Sequence, residues 1–138
     1  MSGPPPVVPA HFNTFLAFDF GARRTGVATG NRLTRTATAR RTIAAESSDG
    51  RLAQAQARVS EWQPDALVVG VPFHPDGASH DNTARARKFA RQLAARTRLA
   101  VFEVDERYST TEAAAQGAAD PDGGAACVIL EQFLRSLP

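Results

Sequence analysis

A chain of 138 residues with 43% hydrophobic and 22% charged side chains reads as one domain with room for a real core. Its single cysteine excludes a disulfide framework and a cysteine-based zinc site, and fits a reducing cytoplasm. No apolar stretch approaches membrane-spanning length, and the net charge of +2 conceals an asymmetry: eight arginines against three acidic groups in residues 1–60, then eight basic against eleven acidic groups in 61–138.

In chain order, Met1 to Pro9 lacks both the basic start and the apolar core of a signal peptide. Residues 1–13 read as a disordered, proline-stiffened tail, and 14–138 as a single domain. Phe15 to Phe20 is apolar on both faces apart from Asp19, as a central strand would be. An ionised carboxylate there needs a cation or a hydrogen-bonded partner, so Asp19 either binds metal or pairs with an arginine. Gly21 and Gly26 allow a tight turn into a second, antiparallel strand from Thr25 to Gly30. Thr34 to Ile43 alternates and reads as a third strand at an edge. Ser47 or Ser48 caps a helix whose stripe of Leu52, Ala55, Val59 and Trp62 faces the core, ended by Pro64.

Ala66 to Val71 reads as a buried parallel strand stopped by Pro72. A loop through Pro75, Asp76 and Gly77 leads to a helix from Asn82 to about Thr97, with Phe89 and Leu93 inward and Arg85, Lys88, Arg91 and Arg96 mostly outward. Leu99 to Val104 is a fifth strand. Ser109-Thr110-Thr111-Glu112 is a capping box for a short helix ending near Gly117, and Ala125 to Leu137 is a last amphipathic helix on Ala126, Ile129, Leu130, Phe133 and Leu137. Cys127 reads as a small core residue. The order predicts an α/β, ribonuclease H-like fold: an antiparallel meander of three strands extended by two parallel strands into a mixed five-stranded sheet, with helices on its faces.

Ligands of open α/β sheets bind beyond the carboxyl ends of the strands. Asp105-Glu106-Arg107 stands at such an end, and offers a carboxylate ligand with a cation to orient it; it equally suits a surface ion pair. Asp122 precedes the last helix, where aspartate is also a good N-cap, and Asp120 competes with it. Separated acids converging at one sheet edge would suit two-metal phosphoryl hydrolysis, with metals roughly 3.5–4 Å apart. The basic clusters Arg23-Arg24, Arg40-Arg41 and Arg85-Ala86-Arg87-Lys88 suit phosphate contacts or a solvated surface, and charge alone does not separate the two. With one tryptophan, on a core stripe, and one tyrosine, no base-stacking platform is visible.

Asp19-x-Gly21-x-x-Arg24-x-Gly26-Val27-Ala28, Val69-Gly70-Val71-Pro72 with Asp76-Gly77, Asp105-Glu106-Arg107-Tyr108-Ser109-Thr110-Thr111-Glu112-Ala113, and Asp122-x-x-Ala125-Ala126-x-x-Ile129-Leu130 together resemble the YqgF/RuvX family. The likeness runs from about Phe15 to the C-terminus. Members are ribonuclease H-like proteins related to the RuvC Holliday-junction resolvases, assigned as nucleases processing the 5′ end of pre-16S ribosomal RNA. The resemblance implies a catalytic and metal-binding triad of Asp19, Glu106 and Asp122, a divalent cofactor (Mg2+ or Mn2+), and supporting roles for Arg24 and Arg107. It departs from the family in the short segment Ala114 to Pro121, which lacks a basic residue, and in Gly70-Val71-Pro72 where Gly-Leu-Pro is usual. His74 and His80 read as bystanders.

Among other readings, Gly21 to Gly26 has P-loop spacing but is followed by Val27-Ala28, so the cradle lacks its lysine and magnesium ligand. The hairpin also resembles the phosphate loop of actin-like ATPases, which close two such domains around ATP. The reading that follows is a cytoplasmic, metal-dependent nuclease whose partner is nucleic acid, with pre-rRNA foremost and branched or single-stranded DNA as alternatives, working near ribosomal particles and away from membranes. Arg23, Arg85, Arg87 and Lys88 would join Arg24 and Arg107 in binding the substrate. A non-catalytic RNA- or ribosome-binding module is the rival.

Overall fold

The computed structural model describes residues 8–72, 81–105 and 121–138, with the backbone alone for 121–123. Its elements are β1 (Thr14–Phe20), β2 (Arg24–Asn31), β3 (Thr36–Ala44), α1 (Ser48–Trp62), β4 (Ala66–Val71), α2 (Asp81–Thr97), β5 (Ala100–Asp105) and α3 (Pro121–Arg135). The sheet runs β3-β2-β1-β4-β5. β1 pairs antiparallel with β2 and parallel with β4, β2 pairs antiparallel with β3, and β4 parallel with β5. This is the mixed, ribonuclease H-like sheet expected from the element order. The helix expected from Ser109 lies outside the described residues.

β1 is central because it is apolar on both faces. Leu16, Phe18 and Phe20 join Leu52, Phe89 and Leu93 of α1 and α2 in one core, while Phe15 and Ala17 pack with Ile129, Leu130 and Phe133 of α3 in the other. Each fully buried Leu or Phe contributes roughly 1.5–3 kcal/mol. Edge-to-face rings, Phe18 on Phe89 at 5.7 Å and Phe15 on Phe133 at 5.6 Å, tie the central strand to a helix on each side. Val8 and Phe12 pack against the α3-side core, so the segment expected as tail takes part in the fold from Val8 onward. Cys127 is partly buried against the same core, and burial, with Glu131 second, pushes its thiol up to about 11.

Several boundaries and one face differ from expectation. β3 begins at Thr36 because Arg35 closes the preceding turn at φ 56°, and the Asn31 side chain accepts a hydrogen bond from the Leu33 amide. Ser47 caps α1 by accepting from the Gly50 amide at 3.0 Å. Trp62, expected on the core stripe, is 37% exposed and lies under the Arg40 guanidinium at 4.1 Å. Leu52, Ala55 and Val59 of that stripe do face the core, and the inward face of α1 also takes in Arg51 and Arg58, which are 6% and 7% exposed and donate to the Ala22 and Arg41 carbonyls.

α3 starts at Pro121 and not at Ala125. Proline suits the first helical position, where its missing N–H costs nothing and its fixed φ is already helical, and Gly123 and Gly124 are tolerated in the first turn. Asp122 therefore belongs to the first turn of the helix and not to the segment before it.

Asp65 joins the starts of β1 and β4. Its Oδ2 accepts from the Asn13 and Thr14 amides at 2.8 and 3.0 Å, and its own amide donates to the Thr14 carbonyl at 2.8 Å. The Asn13 amide first, then that of Thr14, holds this carboxyl below its usual 3.8. A depressed folded-state pKa gives stability that is present above the unfolded value and lost as pH falls through the folded one. Asp65→Ala is expected to cost about 1 kcal/mol at pH 7 in this partly exposed setting. Urea unfolding at pH 7 and pH 3 should show the gap between wild type and variant narrowing in acid.

Gly70 is closely covered. A Cβ there would lie 2.5 Å from Ile129 Cδ1 and 3.5 Å from Asp19 Oδ1. Gly70→Ala is expected to destabilise by about 1–3 kcal/mol through overpacking. Ile129→Val removes the clashing methyl, so the double variant should lose less than the sum of the two single losses in the same urea assay. Simple additivity would show that the clash is not what costs stability.

Candidate active site

β1 carries Asp19 to the carboxyl end of the sheet. Its register partners are glycines on both sides, Gly26 of β2 and Gly70 of β4. The pairing of β2 with β3 shifts register between Thr25 and Val27, so Gly26 sits at an irregularity of the kind that re-aims chains beside functional sites. Side chains alternate along a strand; Phe20 belongs to the α1/α2 core, and Asp19 therefore faces the α3 side, as its approach to Gly70 and Ile129 also shows. Oδ1 of Asp19 is wholly buried.

The other strands end nearby. Asp105 closes β5 and pairs with Val71, one residue beyond the Gly70 that faces Asp19. Glu106 and Arg107 follow directly in the chain and lie outside the described residues, as do Ser109, Thr110, Thr111, residues 114–120 with Asp120, His74 and His80. Asp122 is described by its backbone alone.

The direction of α3 is nevertheless settled. Leu130 and Leu134 cover Gly30, at the start of β1 through its pairing with Phe15, while Ile129 covers Gly70. Arg35, in the β2–β3 turn, donates to the Leu134 and Leu137 carbonyls at 3.2 and 2.8 Å. The C-terminus of α3 is thus fixed at the opposite end of the sheet, and its first turn points to the end where Asp19 lies. Seven residues, about 10 Å of helix, separate Asp122 from Ile129.

A divalent cation can be tested against the Asp19 surroundings. A carboxylate with a buried oxygen is a hard donor of the type magnesium and manganese prefer, and the flanking glycines leave no side chain over it from β2 or β4. These features fit such an ion. Among the described residues no group of three His, Cys, Asp or Glu side chains gathers, two of the three expected ligands having no described side chain.

The basic residues divide into groups. Arg23 and Arg24 are exposed beside the β1–β2 turn, next to Asp19 in the chain, and line an open cleft with Ala44 and Glu46. Gly21 permits that turn, since a Cβ there would lie 2.5 Å from the Arg24 carbonyl oxygen. Arg40 is engaged by the Thr29 hydroxyl at 2.9 Å and by Trp62. The cluster at 85–88 is split: Arg87 pairs with Glu103 of β5 at 3.3 Å, whereas Arg85 and Lys88 face α1, where they line a recess with Ser48 and Arg51. Sequence reasoning missed Arg51, because periodicity scores arginine as outward.

A family model described as RuvX, Holliday junction resolvase, matches residues 13–136. A protein of Polaromonas sp. named "Putative pre-16S rRNA nuclease" is 71% identical, the match covering 96% of each chain. One of the same name from Albidiferax ferrireducens is 65% identical over 94% of this chain and 83% of its own. Among solved structures, Thermus thermophilus RuvC in complex with a Holliday junction substrate aligns with a TM-score of 0.58 at 13% identity, over 89% of this chain and 94% of that one, a likeness of fold. No helix among the described residues is long and apolar enough to cross a membrane. With its sheet order, its central-strand aspartate and a family match spanning nearly its whole length, the chain belongs to the RuvX family.

Proposed function

We propose that this protein hydrolyses phosphodiester bonds in ribosomal RNA precursors, at the 5′ end of pre-16S rRNA, in the cytoplasm and near ribosomal particles. The enzyme class, a hydrolase acting on phosphodiester bonds, comes with the family. The observation that carries the finer reading is Asp19 itself: a carboxylate with a buried oxygen at the end of the central strand, between two glycines, in a chain closely similar to proteins named for pre-16S rRNA.

In this reading Asp19, Glu106 and Asp122 hold a divalent cation, magnesium or manganese. When bound, such an ion acidifies water and offsets the charge that develops on the phosphoryl oxygens. The chain supplies the rest. Asp19 is held by strand pairing on both sides, so its carboxylate is oriented before substrate arrives. Asp122, in the first turn of α3, has its charge favoured by the helix dipole. Arg24 and Arg107 orient phosphate oxygens of the scissile strand, and Arg23 extends that grip. The family's description as a Holliday junction resolvase supports a second substrate, a four-way DNA junction, for direct comparison.

Asp19→Asn is nearly isosteric and removes one negative charge. It should abolish magnesium- or manganese-dependent cleavage of pre-rRNA while leaving the urea midpoint unchanged or raised, since a buried anion is removed. Cleavage at the wild-type rate would refute the catalytic assignment. Structured RNA, single-stranded RNA and a four-way DNA junction, tested side by side, would rank the substrates, and no cleavage of any by wild type would favour the non-catalytic module.

Asp122 and Asp120 are separated by parallel variants. Asp122→Asn should lower cleavage by about two orders of magnitude or more while costing stability only the lost dipole interaction of its charge, roughly 0.3–1 kcal/mol. Asp120→Asn should be nearly silent. The reverse pattern would move the third ligand to Asp120.

A further inference from the structure

Asp19 and Phe20 are neighbours in β1, and their side chains lie on opposite faces of the sheet. Over Phe20, between the start of α1 and the middle of α2, is a recess lined by Phe20, Ser48, Arg51, Arg85, Lys88 and Gln92. We propose that this recess binds one phosphate group of a nucleic-acid strand that passes around the carboxyl end of β1, from the Asp19 face to the α1/α2 face.

Three observations carry the assignment. Arg51 is 6% exposed, stacks on the Phe20 ring at 4.1 Å and uses one terminal nitrogen on the Ala22 carbonyl at 2.6 Å, which leaves its Nε buried with no hydrogen-bond partner. A buried guanidinium with an unmet donor is costly, and an anion in the recess that Arg51 lines would offset its charge even though Nε itself is closed to solvent. Ser48 opens α1, so the helix start with its free amides borders the same space. Arg85 and Lys88 make no ion pair or hydrogen bond among the described residues, and the one carboxylate lining the adjoining recess is Glu46. Burial, and then the charge of Arg85, lowers the Arg51 pKa, as expected of neighbouring cations.

The geometry also links this recess to the active-site turn. Through Ala22, Arg51 grips the turn that joins Asp19 to Arg23 and Arg24. A phosphate here would fix the strand on the far side of that turn. The strand as the source of the phosphate rests on the nuclease reading; the anion site itself does not.

The test is NMR on the metal-free wild-type protein, following the Arg51 Nε–H and the amides of Ser48, Asp49 and Gly50. The probes are inorganic phosphate and a short single-stranded RNA with hydroxyl ends, each against sodium chloride of equal ionic strength. Both should shift the Arg51 Nε–H saturably, and each should displace the other. Arg85→Ala with Lys88→Ala should weaken both by about tenfold or more. Arg51 itself is left intact because it holds Ala22 and Phe20, so its loss would test folding. No shift with either probe, or equal affinity in the double variant, overturns the site. A response to phosphate but not to RNA overturns the strand as its source. A cleaving protein whose Arg51 stays silent refutes the site alone, whereas a protein that never cleaves but whose Arg51 responds refutes the nuclease reading alone.

Discussion

Burial of β1 on both faces is the constraint from which the rest follows. A strand covered by α1 and α2 on one side and by α3 on the other must be apolar throughout, and Phe15 to Phe20 is, except at Asp19. The cost of a charge in such a place is bearable only at the strand's end, where a cation and a polar edge are within reach. Gly26 and Gly70 complete the arrangement by placing no side chain beside the carboxylate from either neighbouring strand, the room over Gly70 being taken by Ile129 of α3. The proposed site occupies the point at which the core runs out.

Arginine does much of the work that aliphatic residues do in other small domains. Arg51 and Arg58 bury their stems beneath α1 while their guanidinium groups hold carbonyls of the β1–β2 turn and of β3. Arg40 lies over Trp62, and Arg35 closes the C-terminal end of α3. The basic excess of the first sixty residues is therefore spent partly on structure. Arg23 and Arg24 on one side of the turn after β1, and Arg85 and Lys88 of α2 on the other, lie on either side of the end of β1.

The placement of α3 depends on both its ends. Arg35 supplies donors to its last carbonyls, where a cation also suits the negative end of the helix dipole. Ile129, against Gly70, sets how closely the helix lies on the sheet near Asp19. The first turn, with Asp122, is thereby carried to the carboxyl ends of β1 and β4.

The primary structure by itself determined the element order, the central strand and the isolation of Asp19, because strand patterning and glycine punctuation are local and survive in one dimension. It also narrowed the cap of α1 to Ser47 or Ser48, of which the structure uses Ser47, and marked the buried β4, from a short polar signal and a continuous apolar run. Only the tertiary structure decided that the inward face of α1, read correctly at Leu52, Ala55 and Val59, takes in Arg51 and Arg58 and leaves Trp62 out. Periodicity counts Trp62 as apolar and Arg51 as polar, whereas burial depends on where the sheet ends and on which carbonyls need donors. The split of Arg85, Arg87 and Lys88 between α1 and β5 was likewise decided in three dimensions, since helix phase relative to its neighbours is a packing outcome. The same holds for the recess around Arg51: its parts are scattered from Phe20 to Gln92, and no spacing rule joins them before the chain folds.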